Sequence, residues 1–200
     1  MNGRRLLAGV FTALWAAALA TGFGLMIEFD LTPGDAGNPA EVWPADSGIE
    51  RVAGRPDLLM ILHPHCPCSR SSLAELEKIA ARTRGRLGLL VLLVSPPGAA
   101  TGWAGDEARL RSKSIPGVTV VDDVDGVEAR RFNIATSGHT LLYDAAGSLR
   151  FSGGITPSRG HQGDNAGSLS IVSFVNDATP ARLTTPVFGC PVEARPACRR

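Results

Sequence analysis

From Leu6 to Ile27 the chain runs for 22 residues without a charge, with Arg4 and Arg5 before the run and Glu28 and Asp30 after it. As a helix such a run is about 33 Å long, enough to cross the hydrocarbon core of a bilayer. It reads as a single-pass membrane anchor over residues 6–27. The basic flank puts residues 1–5 in the cytoplasm and sends the rest to the periplasmic or extracytoplasmic side. The rival reading is a cleaved signal peptide, since Ala18-Leu19-Ala20 has the small-x-small form that signal peptidase accepts. The run exceeds the ~7–15 residues of a signal h-region, which favours the anchor. Both readings export the remainder of the chain.

Export bears directly on the four cysteines, because outside the cytoplasm disulfides form and persist. Four cysteines allow three full pairings, and spacing does not choose among them. The remaining residues suffice for one domain, at 44% hydrophobic and 20% charged over the chain. A net charge of +1, with no basic cluster interleaved with aromatics, offers no footprint for nucleic acid.

Residues 28–55 hold Pro33, Gly34, Gly37, Pro39, Pro44, Gly48 and Gly54 with little apolar periodicity, and read as an extracytoplasmic linker. The domain is expected over residues 56–185, followed by a Cys- and Pro-containing tail, 186–200. Leu58 to Leu62 is a continuous apolar run, as in a strand covered on both faces. Ser69 is a candidate cap for a helix to about Thr83, ended by Gly85. A second buried strand spans Leu87 to Val94, a weaker helix Trp103 to Lys113, a third strand Val118 to Val121, and a short helix Gly126 to Phe132. Thr140 to Tyr143 and Leu149 to Phe151, about the turn at Asp144 to Gly147, predict a hairpin. Ser168 to Asp177 is read as a helix capped by Asp164 or Asn165. Buried strands alternating with helices argue for an α/β sandwich around a central mixed sheet.

The chemical signal lies between the first strand and its helix, in His63-Pro64-His65-Cys66-Pro67-Cys68. At a helix start, unpaired backbone N–H groups and the macrodipole favour an anion, so a cysteine there has a lowered pKa and more thiolate. Pro67 suits a rigid bend at a helix's first turn. Cys66 is the expected nucleophile and Cys68 the thiol that closes the disulfide. His65 beside Cys66 would lower the thiol pKa further as an imidazolium. One residue between the cysteines makes a tight ring, whose strain would ease reduction.

The run Leu59 to Leu62 into Pro64 to Arg70 resembles the active-site turn of the thioredoxin superfamily. Pro64 to Ser69, Thr136-Ser137-Gly138, Phe151 to Thr156, Arg159-Gly160-His161 with Gly163-Asp164-Asn165, and Pro186 to Pro191 together resemble small membrane-anchored thioredoxin-like proteins often labelled RedB. The resemblance implies a thioredoxin-like three-layer α/β/α sandwich in an exported setting. It also implies thiol–disulfide exchange with protein thiols or disulfides, needing no cofactor, and a substrate-facing surface at Pro67, Ser137, Gly138 and His139. The chain departs from thioredoxins twice. His65 stands where their first cysteine would be, and His139 stands where they place a cis-proline.

Two other readings stay open. Cys66 and Cys68 could form an inert structural disulfide. Alternatively, His63, His65, Cys66 and Cys68, with His161 or His139 and Cys190, could hold copper or zinc. Cys190 either pairs with Cys198 within the tail or reaches the active turn as a third redox group or metal ligand.

Overall fold

The uncharged run does form a helix, α1 (Gly3–Leu31), with none of its side chains buried. By length and composition it can cross a membrane. It overruns 6–27 at both ends, and the Thr12 and Thr21 hydroxyls donate to carbonyls four residues back (2.9 Å each), which satisfies both hydroxyls within the apolar stretch. The computed structural model describes residues 3–51, 54–95, 98–99, 106–177 and 183–192. It separates into a unit ending at Thr32 and a second beginning at Pro33.

In the second unit, β1 (Asp57–Leu62) leads into α2 (Ser69–Thr83), and β2 (Gly88–Ser95) into α3 (Asp106–Ser114). Then come β3 (Val118–Val124), α4 (Val127–Arg131), the hairpin β4 (His139–Tyr143) and β5 (Leu149–Gly153), α5 (Ala166–Asp177) and β6 (Leu183–Thr184). The strands form one mixed sheet in the order β3-β2-β1-β4-β5-β6. The pairs β1–β2, β2–β3 and β5–β6 are parallel, while β1–β4 and β4–β5 are antiparallel. Both β1 and β2 are covered on both faces, which is why their sequences are continuously apolar.

Alternation along β1 sorts the core. Leu58, Met60 and Leu62 join Leu73, Leu76 and Ile79 of α2 and Ile171 of α5 on one face. Leu59 and Ile61 join Phe132, Leu141 and Tyr143 on the other. Among the described residues the short α4 is the helix over this second face, contributing Ala129, and Trp43 adds to its cover, its ring edge-on to Phe132 (centroids 5.0 Å) and Tyr143 (5.2 Å). Residues 33–51 are thus not a tether. Tyr143 Oη donates to the Ala40 carbonyl (2.8 Å), and the Glu128 carboxylate accepts from Ser47 Oγ (2.7 Å) and the Gly48 N–H (2.9 Å).

Several element ends differ from expectation for local reasons. β3 continues through Asp122 and Asp123, poor strand formers, because the buried Asp123 carboxylate accepts the N–H groups of Glu128 (2.9 Å) and Ala129 (2.8 Å) and so caps α4. Cys68, not Ser69, occupies the N-cap of α2. Its C-cap is Arg84, in the left-handed region (φ 49°). Asn165 caps α5, its Oδ1 accepting from the Ser168 N–H (2.8 Å). The expected start of the third helix at Trp103 lies outside the described residues, and so does Cys198.

Candidate functional site

β1 is central in the sheet, so its C-terminal end delivers His63 to Cys68 to the middle of one edge of the sandwich. The turn is tightly bonded. The Cys66 N–H donates to the His63 carbonyl (3.0 Å), the Ser69 N–H to the Cys66 carbonyl (3.0 Å), and the Ser71 and Ser72 N–H groups to the Cys68 carbonyl (3.1 and 3.2 Å). Ser69 Oγ also donates to the His63 carbonyl (3.0 Å).

Beside the turn lies the loop before β4. Ser137 Oγ accepts the His63 N–H (2.9 Å), and the Gly138 N–H donates to the Ile61 carbonyl (2.7 Å). His139 turns into the core: it is fully buried, with Nε2 2.8 Å from Ser152 Oγ. It therefore cannot offer its side chain to a substrate, and Ser137 is equally closed off by its bond to the turn. Among the described residues there is no cis peptide bond.

The segment expected as a tail is built into this site. The Ser137 N–H donates to the Cys190 carbonyl and the Val192 N–H to the Ala135 carbonyl (2.8 Å each), while Thr136 and Pro191 form an antiparallel bridge. Val187, Phe188 and Val192 are buried. Backbone meets backbone so closely that a Cβ on Gly189 would lie 1.9 Å from the Ser137 oxygen. Arg159 Nη1 secures the same segment through the Gly189 carbonyl (2.7 Å). Gly189→Ala is expected to cost about 1–3 kcal/mol in a denaturant melt, the range for overpacking a closed contact. A variant as stable as wild type would show that the segment is not seated there.

Cys190 is thereby brought against Cys66. Both cysteines of the turn are buried, Cys66 at 3% exposure and Cys68 at 6%, so exposure does not set the N-terminal sulfur apart as the attacking one. The Cys190 thiol donates to the Cys66 sulfur, and this bond outweighs burial. Helped by the Cys190 backbone N–H and by donors on Cys68, it lowers the Cys66 pKa to about 5. Cys68 is pushed up to about 11 by burial, then by the charge and hydrogen bond of Cys66, with Arg159 pulling the other way. Cys190 is held far above the ordinary range by the hydrogen bond it gives Cys66, then by burial and by that charge. To the anion-stabilising feature anticipated at the helix start a distant cysteine thus adds a hydrogen bond, the largest of the side-chain influences on Cys66.

The histidines are dispersed. His65 is exposed on the rim of a 390 Å³ cavity that Cys66, Pro67, Leu73 and Arg111 also line. At that rim Arg70 pairs with Glu107 (2.7 Å). Burial lowers the pKa of His63, whose ring centroid is 6.2 Å from that of His65. His161 is exposed, with Nδ1 2.8 Å from the Arg159 carbonyl. Among the described residues no three His, Cys, Asp or Glu side chains are grouped to hold a metal ion. Arg159 and Gly189 are the site residues that spacing could not single out. Their only sequence signal is a place within the short motifs 159–161 and 186–191.

No protein-family model and no curated protein matches this sequence. Solved structures do. An uncharacterized conserved protein from Geobacillus kaustophilus superposes with a TM-score of 0.60 at 15% identity, over 84% of this chain and 95% of that one. A hypothetical protein from Sinorhizobium meliloti 1021 gives 0.58 at 16% identity, over 84% and 97%. A putative thioredoxin from Neisseria meningitidis gives 0.45 at 15%, over 73% and 95%.

Proposed function

Given that this chain has a thioredoxin-like fold, we propose that it is a thiol–disulfide exchange protein of an exported compartment, held by α1, in which Cys66 is the attacking thiol. The observation that carries the reading is the placing of Cys66 at the strand-to-helix turn with its pKa lowered to about 5, which makes it thiolate at neutral pH. The adjoining cavity gives a substrate access to the turn. The Cys66 thiolate attacks one sulfur of a substrate disulfide, forms the mixed disulfide, and releases the other sulfur as a thiolate that takes up a proton. A second thiol of this chain then displaces the substrate from Cys66, so the chain is oxidised by two electrons and the substrate reduced by two. The reverse sequence oxidises a dithiol. Export rests on the length of α1 and on the Arg4 and Arg5 flank at its N-terminal side.

The test is a thiol count on the full chain in detergent across graded glutathione buffers. A two-thiol step that includes Cys66, roughly between −270 and −120 mV, is the expected result. If Cys66 enters no disulfide of any kind across the series, the reading fails.

A further inference from the structure

We propose that Cys190, rather than Cys68, is the thiol that resolves the mixed disulfide on Cys66, so that the working disulfide is Cys66–Cys190. The proposal rests on the exchange reading above and names the second sulfur it needs.

Three observations point to Cys190. The first is position: the Cys190 carbonyl accepts the N–H of Ser137 (2.8 Å), whose Oγ accepts the N–H of His63 (2.9 Å) in the turn that carries Cys66, and the Cys190 side chain is the largest influence lowering the Cys66 pKa. The second is the way it is held. Its carbonyl accepts the Ser137 N–H, the Gly189 carbonyl before it accepts from Arg159, and the Val192 N–H after it donates to Ala135. A residue tied on both sides presents its sulfur in a set place, which preorganises an in-line displacement. The third concerns the competitor. Closing Cys66 onto Cys68 means bending a turn whose intervening residue has φ fixed by a proline ring, and whose carbonyls already accept the N–H groups of Ser69, Ser71 and Ser72 at the start of α2. A bond to Cys190 leaves that turn as it stands.

The order of steps follows from charge. While Cys66 is a thiolate, Cys190 stays protonated as its hydrogen-bond donor. Once Cys66 is in a mixed disulfide, the negative charge is gone and with it the influence that kept the Cys190 proton in place. Arg159 then favours the thiolate. Cys190 loses its proton to solvent and its sulfur bonds to Cys66 Sγ. The substrate sulfur leaves with the electron pair of the broken bond and takes up a proton.

The experiment exposes the full chain in detergent to glutathione disulfide, quenches by alkylation, and maps disulfides by digestion and mass spectrometry. Wild type is expected to show the Cys66–Cys190 bridge, and Cys68→Ser still to form it. Cys190→Ala is expected to accumulate glutathione on Cys66 at least tenfold over wild type. A Cys66–Cys68 bridge in wild type, or Cys190 found bonded to Cys198, overturns this inference while leaving exchange at Cys66 intact. No adduct and no bridge at Cys66 in any chain overturns the exchange reading itself. The wild-type map needs no variant to fold, so the inference is decided even if Cys190→Ala does not.

Discussion

Alkylation of Cys66 by iodoacetamide is expected to titrate with a midpoint near pH 5, and in Cys190→Ala that midpoint is expected to move up toward the ordinary thiol value of about 8.5. The reason is that the largest influence lowering the Cys66 pKa is the hydrogen bond from the Cys190 thiol, ahead of anything Cys68 contributes. Only the thiolate reacts, so the sign is fixed. At pH 6.5 wild-type Cys66 is nearly all thiolate, whereas a thiol of ordinary pKa is about one per cent ionised. The expected loss of rate at that pH is about two- to fourfold, because the more basic thiolate is also the better nucleophile and recovers most of the deficit, so the shifted midpoint rather than the rate is the decisive readout. Above about pH 7 the order inverts, the variant being faster. Peptide mapping of the alkylated sites at each pH makes the measurement, and an unmoved midpoint would remove Cys190 from the account of Cys66.

The second large effect is on stability. His139 is fully buried against Ser152, and burial lowers its pKa from 6.5 to about 4. The folded chain holds this imidazole neutral, while the unfolded chain protonates it below about pH 6.5. Stability is therefore complete above pH 6.5 and is lost as the pH falls toward 4, below which the loss levels off. The size of that loss is about 3 kcal/mol for this one group. Carboxylates titrate in the same window, so the measurement is a comparison of slopes. Denaturant melts from pH 7 to pH 4 are expected to show a flatter decline in His139→Leu than in wild type, whatever the variant's absolute stability. Parallel slopes would mean that His139 reaches solvent when charged.

What was legible in the residues was whatever local periodicity and local chemistry control. The uncharged run became α1, the apolar runs became β1 and β2, the turn Asp144 to Gly147 joined a hairpin, and Asn165 capped α5. Cys66-Pro67-Cys68 sat between a strand and a helix, where the motif placed it. The polar end of β3 was lost to propensity, because two aspartates argue against a strand until one of them is seen to cap α4. His139 was misplaced because a histidine at the first position of a strand, here β4, gives no sign of which way its ring will turn.

Other features depended on contacts between residues far apart in the chain, which no window of sequence contains. Residues 33–51 lack periodicity because an irregular segment covers the sheet one side chain at a time, Trp43 above all. The segment 186–192 looks like a Pro-rich tail because its three buried side chains, Val187, Phe188 and Val192, follow no strand or helix period, and the rest of its order comes from backbone bonds to Ala135 and Ser137 and from the close approach that Gly189 permits. The sequence by itself determined that a strand-to-helix turn would carry two thiols behind a helix able to span a membrane. Only the tertiary structure decided which thiol is ionised and by what, because the hydrogen bond that lowers the Cys66 pKa comes from a cysteine brought there by the packing of the C-terminal segment.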